Sequence, residues 1–174
     1  MDTRKGLVER LLGLFAEVRA GEAGRTLLLT LNVFLLLATY YIIKPVREAL
    51  ILADGSAELK SYLSLGQTAL LIGVIPLYSR LAGRFSRGPL ITWVTLFFAA
   101  CLLAFAWLAR LEMPNLSIAF FLWVGIFNLM IVAQFWSMAN DIHTPEQGKR
   151  LFAIIAFGAS SGAVVGSYAL GERM

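Results

Sequence analysis

An all-α, polytopic membrane helix bundle is the fold class this sequence predicts, and three observations carry that expectation. Five stretches, 26–43, 61–79, 88–109, 113–140 and 151–171, contain no charged residue. Each reaches or approaches the roughly 20 apolar helical residues that cross a hydrocarbon core of about 30 Å. Hydrophobic residues make up 59% of the chain and charged ones 15%, with a mean hydropathy of +0.75, which leaves too little charge to clothe a soluble domain. In lipid the backbone must satisfy its own hydrogen bonds, so apolar runs this continuous are helical.

Residues 1–25 are expected to form a cytoplasmic amphipathic segment and 26–174 the transmembrane bundle, with spans at about 26–53, 58–79, 88–109, 115–140 and 150–171. The first residues are not a secretory signal, because charge alternates with apolar residues instead of preceding a single apolar run. Leu7, Leu11, Leu14, Phe15 and Val18 recur at helical spacing, with Arg4, Lys5, Glu9, Arg10, Glu17 and Arg19 mostly opposite. Two settings fit that pattern: a helix lying on the membrane surface, or one packed on the loops of its own protein.

The first span continues beyond Lys44, because residues 49–53 keep the apolar pattern up to a turn at Asp54, Gly55 and Ser56, where Ser56 is placed to cap the next helix. Pro45 lies inside that span and is expected to kink it, by removing one backbone donor and crowding the Tyr41 carbonyl. The second span carries Pro76 and ends in a short basic loop, 80–87. Residues 110–115 make a hairpin-length turn between the third and fourth spans. After Asn140 and Asp141, Thr144, Pro145 and Gln147 give a helix start: cap, proline at the first position, and glutamine three residues after the cap. Within the fifth span, Gly158, Gly162 and Gly166 line one face and admit a close helix neighbour. That neighbour is a helix of the same molecule, a second copy, or a substrate groove.

Lysine and arginine placement predicts orientation. Arg4, Lys5, Arg10, Arg19, Arg25, Arg80, Arg84, Arg87, Lys149 and Arg150 fall on one side, against Lys44, Arg47, Lys60, Arg110 and Arg173 on the other. The excess puts the N-terminus in the cytoplasm, with Tyr40, Tyr41, Tyr62, Tyr78 and Tyr168 near span ends. The net charge of +4 is scattered over loops with no basic face, so nucleic acid is not an expected partner. The single cysteine, Cys101, cannot form an intramolecular disulfide.

Function must be sought in polar groups inside the spans. Lys44, Arg47 and Glu48 share one helix face, presenting two cations and a carboxylate. Charge in a bilayer is costly, so such groups face a partner or an aqueous cavity, or they snorkel at the interface. An anion such as phosphate is the ligand they suit. Asn32, Gln67, Asn128, Gln134 and Asn140 are uncharged polar residues within spans, suited to interhelical hydrogen bonds; Gln67, Asn128 and Gln134 are taken as substrate-binding candidates. His143 stands alone in a loop. No metal-ligand cluster, Walker loop, nucleophile elbow or catalytic carboxylate pair is present, so no enzyme, cofactor or metal is expected.

Residues 134–141, followed by 144–152 and by Gly158 and Ala159, resemble the fourth and fifth helices of the ATP/ADP translocase family of plastids and intracellular bacteria. They resemble still more its free-living bacterial relatives in the major facilitator clan. Phe135, Trp136, Ala139, Asn140, Thr144, Lys149, Arg150 and Gly158 carry the match, and residues 44–48 are similar to the family's basic–x–x–basic–acidic segment. The resemblance extends over about 26–168 and is most specific at the junction of the fourth and fifth helices. It implies that Arg47 stands where the nucleotide carriers have a functionally important lysine, and Glu48 where they have aspartate. It also implies a cytoplasmic gate at Asn140, Asp141, Lys149 and Arg150. Val124 stands where those carriers have a glutamate, and the loop 80–87 resembles the basic loop of facilitators without its aspartate.

The resemblance implies the N-terminal part of a secondary transporter in a bacterial inner membrane, exchanging nucleotides or another phosphorylated anion by alternating access between two six-helix halves. Five spans predict a fragment or truncated product, completed by a C-terminal half or another membrane subunit. A non-transporting scaffold using the glycine face, and a carrier of an unrelated solute, are the alternatives.

Overall fold

The computed structural model describes residues 18–19, 21–55 and 57–171. Five helices follow one another: α1 (Ala23–Asp54), α2 (Ala57–Arg84), α3 (Arg87–Ala109), α4 (Leu116–Ile142) and α5 (Pro145–Gly171). All five are long and apolar enough to cross a membrane, as the uncharged runs required. Leu28, Trp93, Leu103 and Tyr168 each exceed 70% or stand at 70% exposure, the signature of side chains solvated by lipid.

α1 runs through Pro45 to Asp54, because the ring needs only one backbone hydrogen bond relinquished and residues 49–53 keep the helix favourable. The Ser56 cap lies outside the described residues. α2 corrects the expected loop at 80–87. The helix continues through Leu81, Ala82 and Gly83 to Arg84, since nothing in that stretch breaks it and a cation at the C-terminal end favours the helix dipole. Charge marks where apolar sequence ends; it does not mark where the helix ends.

Between α3 and α4 the chain reverses with Glu112 (φ 49°) and Asn115 (φ 60°) in the left-handed region, which asparagine tolerates better than most residues. The start of α5 is as the sequence predicts. The Gln147 backbone N–H donates to Thr144 Oγ1 at 3.3 Å, and the Thr144 N–H donates to Gln147 Oε1 at 3.0 Å. Pro145 occupies the first helical position between them, where a missing N–H costs nothing.

Two compact units divide the chain, residues 1–42 with 135–174, and residues 43–134. In the first, α5 lies against the early part of α1. A Cβ added at Gly158 would meet Thr30, at Gly162 the Phe34 carbonyl, and at Gly166 the Ala38 carbonyl. The three contacts step along α1 in register, one turn each. Thr30 can offer its methyl because its hydroxyl donates to the Thr26 carbonyl at 2.8 Å. The glycine face is therefore covered by the molecule's own first helix, which removes the second-copy and groove readings. Leu29, Val33, Phe135, Ala139 and Ile155 form the core of this unit.

In the second unit an aromatic column fills the space between α3 and α4. Trp123 stacks on Phe127 at 5.2 Å and on Phe120 at 5.8 Å, with Phe98 and Phe105 against it. Val124 and Ile51 are fully buried. Of the N-terminal apolar series, Leu7, Leu11, Leu14 and Phe15 lie outside the described residues. Val18 is buried in a small cluster with Ala23, Leu151 and Ile154.

Candidate anion site

In the second unit the end of α1 presents Arg47 and Glu48. Adjacent helical residues do not normally face each other, but the long arginine side chain turns back and its Nη2 meets Glu48 Oε1 at 2.6 Å. Glu48 Oε2 takes a second cation, Lys60 Nζ of α2, at 2.5 Å. The Arg47 guanidinium also lies 4.5 Å from the centroid of the Phe121 ring on α4, a cation–π contact whose strength grows as water is excluded. The Arg47 side chain is 13% exposed, Glu48 25% and Lys60 41%. Two cations share one carboxylate, so the cluster carries net positive charge. Arg47 Nε is buried and has no hydrogen-bond partner among the described residues.

Lys60 is the member of this charge cluster that sequence reasoning missed. A signal was available: residues 48 and 60 stand equally far from Asp54, at the turn where α1 passes into α2, so antiparallel neighbours bring them to one level. Lys44, grouped with Arg47 and Glu48 by spacing, is exposed.

The uncharged polar candidates separate into two sets. Phe121, Gly125 and Asn128 follow the i, i+4, i+7 spacing of one α4 face. The Gln67 amide of α2 lies on Gly125 so closely that any Cβ there would overlap it. Arg47, Gln67 and Asn128 are thus aligned along α4 over about 10 Å. Gln134 does not fall on that face. It is buried, with Nε2 lacking a hydrogen-bond partner among the described residues. Val124, beside the face, is packed in the core where a carboxylate would have to be desolvated.

The chain matches the family described as TLC ATP/ADP transporter over residues 1–117, about two-thirds of its length. It belongs to the TLC ATP/ADP transporter family. The matched range takes in α1, α2 and α3 and the whole Arg47, Glu48 and Lys60 cluster. It stops at the start of α4, so the junction of α4 and α5, where the sequence resemblance is most specific, lies beyond it. No curated protein and no solved structure matches the chain. Family and apolar helices together make this TLC chain a multi-pass membrane protein of nucleotide-transporter type.

The four residues assigned to a gate lie at the facing ends of α4 and α5 in this TLC chain. Asn140, Asp141 and Lys149 are exposed at the ends of α4 and α5. Arg150 binds Glu22, just before α1, through Nη1 at 3.3 Å and Nη2 at 3.2 Å. Gln147 Nε2 donates to the same carboxylate at 3.1 Å, and the Arg19 backbone N–H donates at 3.0 Å. His143 sits between the two helices, buried, its Nδ1 at 2.9 Å from the Ala139 carbonyl and its ring edge-on to Phe152.

Partial burial opposes ionisation of Glu22, but the Arg19 N–H and the Arg150 and Gln147 side chains outweigh it and hold the carboxyl below the ordinary carboxylate range. A depressed folded value contributes stability that is fully present above the unfolded carboxyl pKa of about 4.3 and disappears as pH falls through the lower folded value. The Tm gap between this TLC chain and its Glu22→Gln variant is therefore expected to be constant from pH 7 down to about 5 and to close below about 4. A gap independent of pH would show that the carboxylate's charge contributes nothing.

Proposed function

We propose that this chain serves a secondary transporter that exchanges adenine nucleotides, or another phosphorylated anion, across the membrane by alternating access. Arg47 is the primary anion ligand, Lys60 and Lys44 add positive potential, and Glu48 orients both Arg47 and Lys60. The observation that carries this reading is the unpartnered, buried Nε of Arg47 inside a net cationic cluster. A guanidinium whose carboxylate partner takes only Nη2 keeps its other donors for phosphate oxygens, and arginine, unlike lysine, binds them bidentately. Gln67 and Asn128, aligned with it along α4, would contact the uncharged part of the substrate, and Gln134 lines a separate position. The N-terminus is cytoplasmic by the excess of lysine and arginine on that side, in a bacterial inner membrane, and the architecture is that of the major facilitator clan.

The scaffold alternative depended on a free glycine face, and α1 covers that face. The test is counterflow in proteoliposomes containing the complete natural polypeptide. Labelled ATP is expected to enter only when the lumen holds ADP, ATP or phosphate, and Arg47→Ala is expected to reduce the rate about 10- to 150-fold, given that hydrogen bonds to charged groups carry roughly 1.5–3 kcal/mol. Uptake unaffected by Arg47→Ala, or independent of internal anion, would overturn the reading.

A further inference from the structure

At the end of the first unit where α1 begins, α4 ends and α5 begins, two cavities adjoin. One, of about 360 Å³, is lined by Arg19, Glu22, Arg25 and His143. The other, of about 500 Å³, is lined by Leu28, Leu29, Met138 and Ile142, and by Arg25 again. Arg25 is common to both, so a polar chamber and an apolar groove flank one arginine at the level where the spans meet water. From the groove, Leu28, Leu31 and Leu35 continue along α1 at helical spacing, all exposed.

We infer that this is a binding site for an anionic phospholipid, with the headgroup phosphate beside Arg19 and Arg25 and an acyl chain along Leu28, Met138 and Ile142. Charge complementarity supports it. The guanidinium groups of Arg19 and Arg25 make no ion pair among the described residues, whereas the one carboxylate in the chamber, Glu22, is neutralised by Arg150 and accepts hydrogen bonds from Gln147 and the Arg19 N–H. Basic pockets between helices at the membrane surface take lipid headgroups, and each cation there strengthens binding. The apolar groove selects a lipid over a soluble anion, because a free phosphate would leave it empty. A zwitterionic lipid fits worse, since its own ammonium would meet the same two arginines.

The site is tested with the complete protein in dodecylmaltoside, titrated with dioleoylphosphatidylglycerol while Tm is followed and bound lipid is counted by native mass spectrometry. Dioleoylphosphatidylcholine and inorganic phosphate are run at equal concentrations. Phosphatidylglycerol is expected to raise Tm and to remain bound, while the other two do neither. Arg19→Gln with Arg25→Gln is expected to weaken phosphatidylglycerol binding about 10- to 30-fold. Removing two cations elsewhere, Arg80→Gln with Arg84→Gln, should leave it unchanged. If the double variant does not fold, lipid counting on Arg19→Gln and Arg25→Gln separately decides the matter. Equal effects of the two lipids, equal effects of inorganic phosphate, or undiminished binding in the arginine variants would each overturn the site.

Discussion

Gly162→Leu is expected to prevent recovery of folded, monodisperse protein, and Gly162→Ala to lower Tm clearly. The reason is geometric: a Cβ at this position would overlap the Phe34 carbonyl, an atom of the helix backbone that no side-chain rotamer change can move aside. Overfilling a well-packed contact costs about 1–3 kcal/mol when neighbours can yield, and more when they cannot. Gly158 meets Thr30 and Gly166 meets Ala38 in the same way, so α5 cannot slide along α1 to relieve the clash. Gly73 of α2 has nothing within 4 Å of where a Cβ would stand, and Gly73→Ala should change stability by no more than about 1 kcal/mol. Detergent-solubilised yield and Tm for the three variants measure this. A Gly162→Leu protein as stable as its parent would show that α1 and α5 are not in contact.

Glu48→Leu is expected to destabilise the protein by roughly 3–5 kcal/mol, because it leaves the largely buried Arg47 without its carboxylate. Combining it with Arg47→Met should restore most of that loss, since an apolar pair of similar volume can replace a buried ion pair at little cost. Lys60, being 41% exposed, can carry its ammonium outward once Glu48 is gone. The double variant is expected to fold and yet show no nucleotide counterflow, which separates the cluster's structural role from its role toward substrate. Thermal unfolding together with transport on the same preparations decides both points. A double variant that still transports would remove Arg47 from the substrate path.

What was legible in the sequence was whatever depended on neighbours along the chain. The passage of α1 through Pro45, the Thr144 and Gln147 capping box, and the small-residue face of α5 all follow from local spacing. The partner of that face did not, nor did Lys60 beside Glu48, nor Arg150 on Glu22. These contacts depend on how each helix is rotated about its axis. Helices apolar on every side give hydropathy no polar face from which to read that rotation. The same ambiguity kept the sequence from showing that Gln67 and Asn128 align with Phe121 along α4 while Gln134 stands on another face. The end of α2 was misplaced for a different reason: charge reports the edge of the bilayer, and the helix passes beyond it to Arg84.

The seam between α1 and α5 has a temporal side. Glu22 and Arg150 are separated by 128 residues, and Thr30 and Gly158 by the same interval. At a synthesis rate of about 5–20 residues per second, the backbone of α1 that receives the three glycines waits about 6–25 s for them after it has left the ribosome. During that interval α2, α3 and α4 are synthesised, and the Thr30, Phe34 and Ala38 surface is without the α5 glycines that cover it in the folded unit. The contact between α5 and α1 is thus a late event in synthesis, made only after three intervening helices have been translated.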